Sequence, residues 1–184
     1  TQGTFVSKSN QSALAIVPPE TFWGQIQSIR EEFDARAAAK WPPHVLLMWP
    51  WVPEANSYKP IAQLEKAVGS LEPFDVELQS VQVTHRHNRS AIWLLPISEP
   101  VNALSQLLKA VTDEFPGYGG SGDEDTQLHL SLGSMLEKKP AEVKRKQLQS
   151  HWKPVRWRVT NIAFLSRKND DMPMTVKQLI SLKQ

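Results

Sequence analysis

The 184-residue sequence contains no cysteine. That absence removes disulfide frameworks, thiolate zinc sites and cysteine nucleophiles together, so any chemistry must come from other side chains. No apolar run approaches the roughly 18 residues that a bilayer-spanning helix needs. Residues 1–11 are polar, with no basic segment leading into an apolar one. The expectation is an intracellular protein, of cytoplasm or nucleus, without a membrane partner. A dominant sign of charge is also missing. Lys and Arg number 21 against 19 Asp and Glu, a formal balance of +2, which permits a phosphate-bearing ligand without singling out a long polyanion. The chain begins at Thr1 rather than Met, and no Pro/Gly/Ser linker divides it. One domain over 1–184, excised from a longer protein and monomeric, is therefore expected, with fusion to other domains in that longer chain.

Glycine is scarce, and four of the eight lie in the irregular loop 116–122, Pro-Gly-Tyr-Gly-Gly-Ser-Gly. Proline is plentiful at 14 residues and punctuates the apolar runs. The run 13–17 stops at Pro18-Pro19 and reads as a buried strand, because proline cannot continue a hydrogen-bonded ladder. From 20 to 39, Phe22, Trp23, Ile26, Ile29 and Phe33 recur at three- and four-residue spacing, which predicts a helix closed by Trp41-Pro42-Pro43. A strand follows over 44–49, then a helix over 60–70. A hairpin is expected from strands 74–83 and 91–95 around the polar turn 85–90. A helix from Leu104 to Phe115, a strand over 128–132, a helix over 140–150 and two strands, 157–165 and 174–182, complete the chain. Helices grouped against mainly antiparallel strands define an α+β fold of two related lobes.

Each half carries one strand of the form His-x-(Leu or Ser)-Leu: His44-Val-Leu46-Leu and His129-Leu-Ser131-Leu. Residues i and i+2 of a strand share a face, so His44 projects beside Leu46 and His129 beside Ser131. An imidazole exchanges protons near neutral pH and a neighbouring hydroxyl donates to an anion. Two such strands face to face would place a base and an acid across one phosphorus.

These motifs resemble the paired His-x-Thr/Ser-x motifs of the 2H phosphoesterase superfamily, which includes 2',5' RNA ligase-like proteins and cyclic nucleotide phosphodiesterases. The flanks are similar too: Pro42-Pro43, Trp49-Pro-Trp51-Val-Pro53, and the Tyr118-Gly-Gly120 loop ahead of the second motif. The similarity spans nearly the whole chain. It implies two pseudo-symmetric lobes, each an antiparallel sheet packed by helices, with a groove between them. It implies metal-independent hydrolysis of 2',3'-cyclic phosphate on RNA ends or nucleotides, with no cofactor. On this resemblance His44 and His129 are the catalytic acid-base pair and Ser131 a phosphate-binding hydroxyl. Leu46 stands where the family has Thr or Ser, and one lost charge-assisted hydrogen bond is worth ~1.5–3 kcal/mol. The alternative is a non-catalytic module that binds RNA ends or nucleotides.

Other residues have two readings each. Trp49, or Trp51, is a core residue or a stacking platform for a base, and Tyr118 shares the second role. Arg86, with His85, His87 and Arg89, makes a solvated turn or a basic finger on a nucleic-acid backbone. His151 is read as structural. Lys138, Lys139, Lys144, Arg145 and Lys146 form a solvated helix face or an RNA contact. The acids Asp123, Glu124 and Asp125 make the glycine loop a rim and not a phosphate cradle.

Overall fold

In the computed structural model, residues 7–119 and 127–184 are described. Gly120 and the acids Asp123, Glu124 and Asp125 of the expected rim lie outside them. The apolar and alternating runs form β1 (Ser12–Ile16), β2 (Val45–Met48), β3 (Phe74–His85), β4 (Ser90–Glu99), β5 (Leu130–Met135), β6 (Val155–Val159), β7 (Asn161–Ser166) and β8 (Thr175–Ser181). The runs of helical spacing form α1 (Trp23–Lys40), α2 (Tyr58–Val68), α3 (Ala103–Glu114) and α4 (Lys138–His151). A 3-10 turn, Glu20–Phe22, leads into α1.

All eight strands join one antiparallel sheet in the order β6-β3-β4-β5-β2-β1-β7-β8. The order divides into two four-stranded halves, and a single residue pair, Val45↔Leu130, connects β2 to β5 across the middle. Only Thr160 separates β6, at one edge of the order, from β7, next to the other edge. One residue spans only a few ångströms, so the sheet has to curl until its ends approach each other.

This corrects the expected single strand over 157–165. The run is two strands, because β6 extends the β3 half and β7 extends the β1 half. The polar pair Thr160-Asn161 interrupts the alternation at this break, and the apolar run Ile162 to Leu165 after it is buried on both faces. The expected helix over 20–39 is also interrupted. Asp34 leaves helical geometry at φ −159°, ψ 93°, and its carboxylate accepts from the backbone N–H groups of Arg36 and Ala37, both at 3.1 Å. An aspartate so placed caps the restarted helix, which turns the final stretch of α1 toward Trp41.

β1 is buried on both faces, as a central strand covered from two sides must be. Leu14 and Ile16 join the main core with Trp51, Leu94, Leu107 and Leu130. Ala13 and Ala15 face the opposite way, into a smaller cluster with Leu165 and Met174, edged by Trp41, Leu46 and Trp49. Helix α1 lies on β5, α3 on β2 and β4, and α4 on β3, β4 and β5. The α1 crossing is close. A Cβ on Gly133 of β5 would stand 2.3 Å from the Phe33 ring, so only glycine admits that ring at this height.

Candidate active site

His44 and His129 occupy equivalent places, each immediately before its strand. The antiparallel pair Val45↔Leu130 sets the register of everything around them. One step outward, Leu46 falls opposite His129 and Ser131 opposite His44. Directly opposed residues of an antiparallel pair point to one side of the sheet, so His44, Leu46, His129 and Ser131 share a face. The two motifs, 85 positions apart in sequence, are thereby adjacent, across the one residue pair that joins the halves.

The two imidazoles are held alike. His44 Nδ1 is 2.7 Å from the carbonyl oxygen of Pro42, and His129 Nδ1 is 2.9 Å from that of Gln127, in each case two residues upstream. A carbonyl oxygen only accepts, so both Nδ1 atoms carry the proton. In the neutral ring Nε2 then holds the lone pair, and in the cation it is the proton to be given away. Each ring also rests against an indole. Trp41 stacks on His44 with centroids 4.8 Å apart and planes at 26°, and Trp93 meets His129 edge-on at 5.9 Å.

The environments differ. His129 is exposed, whereas His44 is half-buried. Burial pushes His44 down to about 4 from its usual 6.5, and the electrostatic influence of Arg30 and His129 acts the same way, against the bond to the Pro42 carbonyl. At neutral pH His44 is accordingly unprotonated and able to accept a proton.

A groove of about 530 Å³ opens beside His129 and is lined by Leu46, Trp49, Tyr118, Gln127 and Lys8 among others. Leu46 is half-buried in its floor. Trp49 holds its position through its indole N–H, which donates to the Asn10 carbonyl at 3.0 Å, and through an edge contact with Trp41. Trp51, two residues on, is fully buried between Phe115 and Phe164. Of the two tryptophans, Trp49 faces the groove and Trp51 builds the core. Tyr118 lies at the glycine turn, where Gly117 and Gly119 adopt φ +84° and the Gly119 N–H donates to the Pro50 carbonyl. That bond ties the loop before the second motif to the segment after the first.

Other expected residues lie elsewhere. Arg86 is exposed at the tip of the β3–β4 hairpin and lines none of the cavities around the histidines. His85 is held at the base of that turn by Ser90 Oγ at 2.7 Å and Glu142 Oε1 at 3.0 Å. His151 caps the end of α4 on the Gln147 carbonyl. The basic run on α4 is partly neutralised, since Lys144 pairs with Glu32 at 2.5 Å and Arg145 with Glu142 at 3.4 Å. Among the described residues no three His, Cys, Asp or Glu side chains converge as metal ligands, and no helix is long and apolar enough to cross a membrane.

Sequence reasoning missed Lys8, Trp41, Trp93 and Arg30. Arg30 left a signal. It follows Ile26 by four residues and so stands on the buried stripe of α1, where it is 9% exposed.

Comparison with known proteins places the chain among phosphoester-processing proteins. A family model described as the 2'-5' RNA ligase superfamily matches residues 18–171. The chain belongs to that superfamily, the 2H phosphoesterases. Comparison with curated proteins finds no significant match. Among solved structures, apo E. coli LigT is similar with a TM-score of 0.64 and 18% identity, over 97% of this chain and 100% of that one. TT0787 of Thermus thermophilus follows with 0.61 and 18%, over 94% and 98%. Usb1 of Kluyveromyces marxianus, solved with uridine monophosphate, has 0.52 and 15%, over 95% and 99%. At such identities the likeness is one of fold, and it spans almost the full length of each.

Proposed function

We propose that this protein is a phosphodiesterase that opens a 2',3'-cyclic phosphate on an RNA end or nucleotide, with His44 as base and His129 as acid. The observation that carries the proposal is the matched tethering of both Nδ1 atoms, which leaves two Nε2 atoms to serve one face of the sheet. In the reaction, His44 Nε2 takes a proton from water as its oxygen attacks phosphorus. The bond from phosphorus to one ribose oxygen breaks, and His129 Nε2 gives its proton to that oxygen. The products are a phosphomonoester and a free hydroxyl. Ser131, opposite His44, donates to a phosphate oxygen, and Trp49 with Tyr118 offers a surface for the base. No step calls for a metal ion or cofactor.

The division of roles follows from electrostatics, because a base must start neutral and His44 does. The acid falls to His129 by elimination. Nucleotide binding by the similar Usb1 of known structure agrees with the proposed ligand class. The second reading, a binding module without turnover, draws on Leu46, which offers no donor where the twofold-related strand offers Ser131.

A panel of 2',3'-cyclic mononucleotides and cyclic-phosphate-ended RNAs tests both. Turnover in the presence of EDTA is expected, with ~10²- to 10⁴-fold loss in His44→Ala and in His129→Ala. Undiminished turnover in the double variant would overturn the proposal. Binding without turnover in the wild type would favour the module.

A further inference from the structure

A second cavity, of about 280 Å³, lies between α1 and the β4–β5 ladder, and Ser131 lines it together with Arg30, Arg89 and Ser134. Ser131 therefore belongs both to the histidine face and to this cavity. Two features of the cavity go beyond the hydrolytic site.

The first is Arg30. Its Nη1 donates to Gln27 Oε1 at 2.5 Å and to the Trp41 carbonyl at 2.8 Å, leaving Nε and Nη2. No carboxylate among the described residues comes within ion-pairing distance. A guanidinium that is nine-tenths buried without a counter-ion is costly, because buried charges are normally paired. The second feature is Arg89, whose Nε and Nη2 both donate to Ser134 Oγ at 3.0 and 2.8 Å. It too has no carboxylate partner among the described residues. Asp34 also lines the cavity, with its Oδ1 engaged by the Arg36 and Ala37 amides. Two cations and two hydroxyls thus converge on a small cavity against one acid, an excess of positive charge.

A bulge at Leu132 sets Ser131 opposite Trp93 and Ser134 opposite Ala91 of β4, so the two serines share a face, two partner residues or roughly 7 Å apart. That separation is on the scale of one step between successive phosphates of a nucleic-acid strand. The geometry points to a subsite for the phosphodiester next to the reacting one, held by Arg30, Arg89 and Ser134, so that the preferred substrate is an oligonucleotide end and not a mononucleotide. This rests on the proposed function, since it takes Ser131 as the contact to the reacting phosphate.

The test compares binding of a labelled ribo-trinucleotide and a labelled mononucleotide, both with an unreactive 3'-phosphate, by fluorescence anisotropy. The wild type is expected to prefer the trinucleotide roughly ten- to a hundredfold, as one or two charge-assisted contacts provide. Arg89→Gln, at an exposed position, should bring that ratio close to one and lessen the salt dependence of trinucleotide binding by about one counter-ion. Arg30→Met should do the same, with Arg30→Lys intermediate and thermal unfolding used to confirm folding. Lys66→Gln, an exposed cation on α2, should leave the ratio unaltered. Equal wild-type affinity for both probes would overturn the subsite, as would an unchanged ratio in Arg89→Gln. Because these probes are not turned over, absence of hydrolysis counts against the proposed function alone. Hydrolysis without chain-length preference counts against the subsite alone.

Discussion

Replacing Leu46 by threonine places a donor at the motif position where the other strand has Ser131. The register Val45↔Leu130 sets residue 46 opposite His129, as Ser131 is set opposite His44, so a hydroxyl at 46 would meet the same phosphate from the twofold-related side. A hydrogen bond to a charged oxygen contributes ~1.5–3 kcal/mol, or about 10- to 150-fold in rate at ~1.4 kcal/mol per decade if it is made in the transition state. There is a cost. Leu46 is half-buried against the cluster of Ala13, Ala15, Leu165 and Met174, and giving up that apolar contact loses roughly 1 kcal/mol. For a chain of this size the melting temperature should fall by about 2–4 °C. Threonine suits the position, since β-branched residues are at home in strands. The assay is kcat/KM on a 2',3'-cyclic mononucleotide, with Ser131→Ala beside it. Leu46→Thr should gain at least tenfold and Ser131→Ala should lose a similar factor. If both leave turnover unmoved, neither position touches phosphate and the shared-face geometry is not the catalytic one.

A pH effect follows from His44. It titrates near 4 in the folded protein and near 6.5 unfolded, so below 6.5 the unfolded chain gains a proton that the folded chain refuses. Its stabilisation is complete above pH 6.5, drains as pH falls and levels off below about 4, a loss of about 3 kcal/mol. Urea midpoints of His44→Gln should fall less than those of the wild type between pH 7 and 4, and parallel curves would contradict this. Trp49→Ala should weaken nucleotide binding by ~1–3 kcal/mol with little loss of stability, whereas Trp51→Ala should cost about 3–5 kcal/mol of stability; titration and thermal melts separate the two. Gly133→Ala drives a methyl into the Phe33 ring and should destabilise by about 1–3 kcal/mol in urea unfolding, with Phe33→Leu recovering part of the loss.

Much of this molecule is local and was legible as such. Proline stops such as Pro18-Pro19 and Pro50 bound short apolar runs that read as buried strands, and the spacing of Leu104, Leu107 and Val111 declares a helix. The two histidines stood out because each opens a short apolar strand, and the family followed from that pairing. Tertiary structure alone decided what lies beside what. The polar pair Thr160-Asn161 marks a local break in alternation, yet that β6 and β7 belong to opposite halves is decided by long-range ladders that local periodicity does not encode. Trp49 and Trp51 point to one side of a strand by number, and only the packing of Phe115 and Phe164 sends one of them to the core. Arg30 is an arginine on a helix stripe until α1 docks on β5 and carries it to Ser131. The neutrality of His44 is of the same kind, since burial and the electrostatic influence of Arg30 and His129 reach it from other elements of the fold.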